Sequence, residues 1–404
     1  MNKQTVGSIT FVVSLIIFFF ISNSLAFGYV FHRMGYDEGF RFENGAQVKS
    51  DVLDQYVDYV AGQGGFKIAV VGDSVVQGAG VAGREQTITA HLQEELRGSY
   101  LRTARVFNFG LPGGRPADLY MMVKKLHEAG AVQMVVVNIS YPFFSTEMTR
   151  TPLLYFKVWS PGLTSEERIE LKVPEDKTAP QPAQAVAAED DGTVSEFEKA
   201  IQKTVSQYWT VYCFRQELNR YLFGGQPAAM AKAYLDLTLS GRTPVLEQPA
   251  EPVLEELEEG PLSEKDKPEN KYKVWYSFPW SAQDQEHLKN VFNITENENV
   301  NFKYYRLLCA YLAESGTPAV IFMSPVNHSL MQQYQLLDYN SYNDKTFLIR
   351  QVAEESGIAF LNYQEAVSPE LFHDSMHLLE DGNTAVAKLL NRDLRPVIEG
   401  AGAQ

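Results

Sequence analysis

Five short runs dominated by apolar residues constrain this chain most: 66–71 (FKIAVV), 105–109 (RVFNF), 132–137 (VQMVVV), 319–323 (AVIFM) and 358–361. A strand with one face in water alternates apolar and polar residues, whereas a continuous apolar run needs both faces covered. Stretches of helical composition lie between and after these runs, at 84–97, 115–129, 302–314, 345–356 and 381–394, and Gly316 and Gly357 stand at two helix ends. Strands alternating with helices form a parallel sheet with right-handed crossovers on both faces. The expected fold class is therefore α/β: a three-layer α/β/α domain around a five-stranded parallel sheet. The alternation stops after the third run and resumes near residue 301. The domain is read as two halves, 37–144 and 301–404, separated by an insertion at 145–300.

The insertion is read as mostly helical or flexible. Segments 173–198 and 243–271 are rich in Pro, Ala and acidic residues, a composition that buries too little apolar surface to offset the entropy of ordering. Between them, Tyr208, Trp209, Tyr212, Phe214, Leu218, Tyr221 and Leu222 recur at near-helical spacing. This stripe is read as a packing face, with an interfacial face as the alternative in a tethered chain. Residues 37–65 are expected to be a connecting region.

Residues 1–36 are a segment apart. From 6 to 31 there is no charged residue, and at 1.5 Å per residue such a helix spans a hydrocarbon core of about 30 Å. It is expected to be an uncleaved single-pass membrane anchor, because 27–31 continues the apolar run. The competing reading is a signal peptide cut after Ser24-Leu25-Ala26. Lys3 on one side and His32, Arg33, Asp37 and Glu38 on the other are too balanced to set orientation. Either reading places the rest of the chain outside the cytoplasm, in a periplasmic or extracellular position at the cell membrane.

The net charge of −15 excludes a phosphate-backbone binder, so no nucleic-acid partner is expected. Cys213 and Cys309 are far apart and lack metal-ligand spacing; they are read as buried thiols, with a single bridge as the alternative in an exported domain. Nothing has the His, Cys and carboxylate spacing of a metal site or the glycine pattern of a phosphate cradle, so no metal and no cofactor are expected.

The chemistry-bearing residues stand where the topology predicts a crevice, at the carboxyl ends of strands. The first run ends in Val71-Gly72-Asp73-Ser74-Val75, which brings the Ser74 hydroxyl and backbone N–H to that rim. A serine hydroxyl is a weak nucleophile without a base and a group that orients the base. Both candidates follow the fifth run, in Phe372-His373-Asp374-Ser375-Met376-His377-Leu378. At i and i+3, Asp374 and His377 share a face of a turn, so the carboxylate can hold the imidazole towards Ser74. Asp374 as a plain helix N-cap is the competing reading. His373 is read as a neighbour, and His91, His127 and His287 receive no role. Asn327 and His328, after the fourth run, are candidate substrate-binding residues, with an exposed loop position as the alternative for His328.

Gly72-Asp73-Ser74 after an apolar strand, with Asp374-x-x-His377 near the C-terminus, resembles the SGNH/GDSL hydrolase family over about 66–142 and 300–394. The resemblance implies a flavodoxin-like SGNH fold, a catalytic triad of Ser74, Asp374 and His377, and an acyl-serine mechanism. It also implies an oxyanion hole from the backbone N–H groups of Ser74 and of Gly113, in Asn108-Phe109-Gly110-Leu111-Pro112-Gly113-Gly114. The family's Gly-x-Asn-Asp after the third strand is missing; Asn138, about four residues early, is the candidate replacement. The N-terminal anchor, Ile139-Ser140-Tyr141-Pro142-Phe143-Phe144 and Ser324-Pro325-Val326-Asn327 are similar to DltD, the anchored SGNH-like protein of lipoteichoic acid D-alanylation. That implies an esterase or O-acyltransferase acting on an acylated envelope polysaccharide or lipid-like substrate, working beside a membrane-bound O-acyltransferase. The competing classes are a non-catalytic adaptor of an envelope machine and a lipid esterase, the latter requiring an apolar channel to Ser74.

Overall fold

The computed structural model describes residues 3–33, 36–42, 50–150, 155, 159, 163–171, 205, 209–215, 218, 264–295 and 299–400. The chain divides into two compact units, Met1–Asp37 with Ala185–Pro261, and Glu38–Gln184 with Leu262–Gln404.

The larger unit holds the sheet: β1 (Phe66–Gly72), β2 (Ala104–Gly110), β3 (Met134–Ile139), β4 (Ala319–Met323) and β5 (Ala359–Asn362). All pairs are parallel, in the order β2-β1-β3-β4-β5. The central strands are buried on both faces; every residue of β3 is buried. The edge strand β5 is only partly covered, and its sequence run is the shortest of the five. The third strand sits two residues later than its apolar run suggests, because Gln133 closes the preceding turn by bonding both ways with the Lys67 backbone (2.8 and 2.9 Å). β1 connects outwards to β2 while its neighbour β3 connects outwards to β4 on the other side, so crossovers leave this strand pair in opposite directions and open a crevice at the carboxyl ends.

Helices cover both faces. Ile88–Ser99 packs with Glu380–Gly400, and Pro116–Glu128 packs with Val300–Ser315. Leu92, Leu96, Val386, Leu390 and Leu394 are buried on the first pair, each contributing roughly 1.5–3 kcal/mol over an exposed position. Local sequence starts and stops these helices: Thr87 accepts from the Ala90 N–H (3.3 Å), Asn299 accepts from Asn301 and Phe302, and Gly316 takes the left-handed C-terminal position. The connecting region read at 37–65 needs correction, since 50–61 is the helix Ser50–Ala61. Leu53, Tyr56, Val57 and Val60 form its buried stripe, and Tyr56 lies 5.3 Å from the Phe109 ring of β2. Asp51, Asp54 and Asp58 recur along the segment and give it the look of a polar connection, although Val52 and Tyr59 are buried as well.

In the smaller unit the helix Lys3–Arg33 is long and apolar enough over Val13–Phe31 to cross a membrane. Phe11, Leu15, Phe18, Phe20, Ile21 and Leu25 are more than half exposed. Part of the aromatic stripe packs on this helix: Trp209 on Phe19 and Phe214 on Phe31, each at 5.7 Å between ring centroids. The Thr210 N–H, which opens the short helix Thr210–Cys213, donates to the Asn23 side chain at 2.6 Å. Tyr208, Tyr221, Leu222 and the segments 173–198 and 243–263 lie outside the described residues. Cys213 and Cys309 are buried and form no disulfide.

Candidate active site

β1 delivers Ser74 to the crevice at the first position of the short helix Ser74–Gln77. Asp73 caps that helix, its Oδ1 accepting from the Val75 N–H at 2.9 Å. Leu111 N–H donates to the Gly72 carbonyl (2.8 Å), tying the loop after β2 to the same strand end. In that loop Gly114 N–H bonds the Leu111 carbonyl at 2.7 Å, with Pro112 and Gly113 at the corners of the turn. Gly113 has φ 68, a value open to glycine at the third position of such a turn. Among the described residues, the N–H groups of Ser74 and Gly113 make no hydrogen bond to the protein, which leaves both donors available.

The opposite wall is the turn after β5. Asp374 Oδ1 accepts the N–H groups of Met376 (2.9 Å) and His377 (2.8 Å), folding the turn onto its own carboxylate. The helix that follows begins later, at Glu380, so Asp374 caps a turn and no helix. His373 N–H donates to the His377 carbonyl at 2.8 Å and closes the loop. Asp374 Oδ2 is 2.7 Å from His377 Nδ1, and His377 Nε2 is 2.7 Å from Ser74 Oγ. A carboxylate oxygen only accepts, so Nδ1 carries the proton and the Nε2 lone pair faces the Ser74 hydroxyl. Gly80 keeps the two walls together: a Cβ there would run into the Leu378 carbonyl oxygen.

Electrostatics matches this arrangement. Burial pushes the Asp374 carboxyl up, but the charges of His377 and Lys265 and the hydrogen bond from His377 outweigh it and hold the group well below the usual carboxylate range. Burial pulls the His377 imidazole down, and the Asp374 charge and hydrogen bond overcome this and raise it.

Two residues that sequence reading passed over lie against this site. Asp73 is buried, and its Oδ2 accepts from the Ser140 hydroxyl at 2.6 Å. Ser140 meets Ser324 at 3.0 Å, and Ser324 accepts from Asn138 Nδ2 at 2.7 Å. This head-to-tail chain joins the ends of β1, β3 and β4. Asn138, the candidate oxyanion donor, lies in this chain: its amide N–H₂ donates to Ser324, and the side chain is fully buried. Lys265, from the turn Glu264–Asp266, places Nζ 3.5 Å from Asp374 Oδ2. Its segment is strapped to the loop that carries Asp374 and His377 by His373 Nδ1–H to the Lys273 carbonyl (2.7 Å), Trp275 N–H to the Phe372 carbonyl (3.1 Å) and Trp275 Nε1–H to the Pro369 carbonyl (3.0 Å). Asp73 was hidden by its ordinary place in a turn. Lys265 was hidden by an acidic surrounding sequence more than a hundred positions from its partner.

The two candidate substrate-binding residues go elsewhere. Asn327 is fully buried: its Nδ2 donates to the Asp374 carbonyl (3.0 Å) and its Oδ1 accepts the Leu330 N–H (3.1 Å). It therefore holds the Asp374 loop and caps the helix His328–Gln333, with no part of its side chain exposed. His328 is half-buried between Tyr339 and Tyr342, with Nδ1 3.1 Å from the Tyr339 hydroxyl, and desolvation lowers its pKa. It is not an exposed loop histidine. Among the described residues no cluster of His, Cys, Asp and Glu has the makings of a metal site.

No family model and no curated protein matches the sequence. Among solved structures the chain is similar to an acetyl xylan esterase (11% identical, covering 81% of this chain and 100% of that one, TM-score 0.34). It is also similar to a carbohydrate acetylesterase family member from Sinorhizobium meliloti (11% identical, 83% and 99% covered, TM-score 0.32). A third similar structure is an alpha/beta hydrolase enzyme from the metagenome of Lake Arreo, Spain (11% identical, 85% and 98% covered, TM-score 0.34).

Proposed function

We propose that this chain is a serine esterase or O-acyltransferase of the SGNH type, held at the membrane by its N-terminal helix and acting outside the cytoplasm on acyl groups of an envelope polysaccharide. The observation that carries the reading is the unbroken relay from Ser74 Oγ through His377 Nε2 and Nδ1 to Asp374 Oδ2, at 2.7 Å for each contact. His377 takes the Ser74 proton as Oγ attacks the ester carbonyl. Asp374 stabilises the imidazolium that forms, and the N–H groups of Ser74 and Gly113 receive the oxyanion. The alcohol leaves with the proton from His377. Water or a sugar hydroxyl, deprotonated by His377, then attacks the acyl-serine and releases Ser74; water makes the reaction hydrolysis and a sugar hydroxyl makes it transfer. The polymer substrate and a membrane-bound acyltransferase partner rest on the resemblance to DltD and on the apolar helix.

The test is hydrolysis of a short-chain chromogenic acetyl ester, with labelling by a serine-reactive probe, for wild type, Ser74→Ala and His377→Ala. Both variants are expected to lose at least about a thousandfold in kcat/KM, and Ser74→Ala to lose the label. A folded wild-type chain that neither hydrolyses nor labels overturns the enzyme reading and leaves the adaptor.

A further inference from the structure

We propose that Lys265 is a positioning residue of this site, sharing Asp374 Oδ2 with His377 and so setting the pH range over which His377 serves as a base; the inference rests on the serine-hydrolase reading. Asp374 is almost wholly buried, and both its oxygens are committed. Oδ1 holds the Met376 and His377 N–H groups, while Oδ2 faces the His377 ring at 2.7 Å and the Lys265 ammonium at 3.5 Å. A buried acceptor divided between two cations is coupled to both more strongly than a surface pair is.

The need for a second cation follows from the groups around the imidazole. Asp374 faces it from its own loop, and Asp73, whose carboxyl burial pushes up, adds a second negative charge from the end of β1 when ionised. His373, in the same loop, donates its Nδ1–H to the Lys273 carbonyl. Two carboxylates beside one imidazole favour the imidazolium, the form that cannot accept the Ser74 proton. Lys265 opposes them, and it is the charged group brought by the segment packed against the loop. Its placement is built in, because the Lys273, Trp275 and Phe278 contacts pin the segment to 369–373.

The experiment uses the full chain in detergent micelles, with histidines labelled at the ring carbon and the His377 resonance assigned by its loss in His377→Gln. In Lys265→Met the His377 titration is expected at higher pH than in wild type, with Lys265→Arg close to wild type. The acid limb of kcat/KM for the acetyl ester moves the same way, lowering the rate there roughly three- to tenfold while the plateau is kept. A folded Lys265→Met protein whose His377 titrates as in wild type overturns the proposal. A His377 titration that moves in a chain lacking esterase activity overturns the hydrolase reading and leaves the Lys265 coupling standing.

Discussion

Asn138 shows how a side chain of the right type near the right place can serve another purpose. Its amide is buried under the crevice and donates to Ser324, the first link of the chain that ends on Asp73. An oxyanion donor is worth about 2.7–4 kcal/mol of transition-state stabilisation, or roughly 10²–10³ in kcat. Because Asn138 points into the chain, Asn138→Ala is expected to keep kcat within about tenfold of wild type. It lowers stability instead, by about 1–3 kcal/mol for a broken buried bond, read as a lower denaturation midpoint. A kcat fall beyond a hundredfold at unchanged midpoint would make Asn138 a donor after all. That Ser74, His377 and Asp374 would meet was legible because their spacing and their place at strand ends specify one geometry. The roles of Asn138 and Asn327 were not legible: an amide serves ligand or backbone equally well, and only strand register decides which it meets.

Elements were legible to the extent that their burial is uniform. The runs of β1, β3 and β4 are apolar on both faces and read directly, whereas Ser50–Ala61 intersperses Asp51, Asp54 and Asp58 with its buried residues and passes for a linker. The helix Pro116–Glu128 adds a titratable device at its start. Asp118 accepts the Arg115 N–H on Oδ2 (3.0 Å) and the Trp159 Nε1–H on Oδ1 (2.9 Å) with no exposure to solvent. Burial pushes its carboxyl from 3.8 up to about 6, against the pull of the Arg115 charge and these hydrogen bonds. A folded-state pKa above the unfolded one means the folded chain holds the proton more tightly. The stability this contributes is complete below the unfolded value and is lost as pH rises through the folded one. Within the window from 3.8 to about 6, denaturation midpoints should fall with rising pH on account of Asp118. Asp118→Asn should flatten that part of the profile; a slope unchanged in Asp118→Asn would refute the assignment.

At the scale of the whole chain, the sequence left one choice open: whether residues 6–31 are a retained anchor or a signal removed after Ala26. Within the smaller unit the helix Lys3–Arg33 is a packing partner for chain nearly two hundred residues later. Phe19 meets Trp209, Phe31 meets Phe214, and Asn23 satisfies the Thr210 N–H. A cut after Ala26 would remove Phe19 and Asn23, taking the Phe19 ring from Trp209 and the side-chain acceptor from the Thr210 N–H. A signal peptide has no reason to be built into the packing of the mature chain, so retention is the expected outcome. The measurement is the intact mass of the protein recovered from the membrane fraction after alkaline extraction. A mass that includes residues 1–26, in material that resists extraction, is expected. A soluble chain beginning at Phe27 would refute the anchor and would require Trp209 to replace its contact with Phe19.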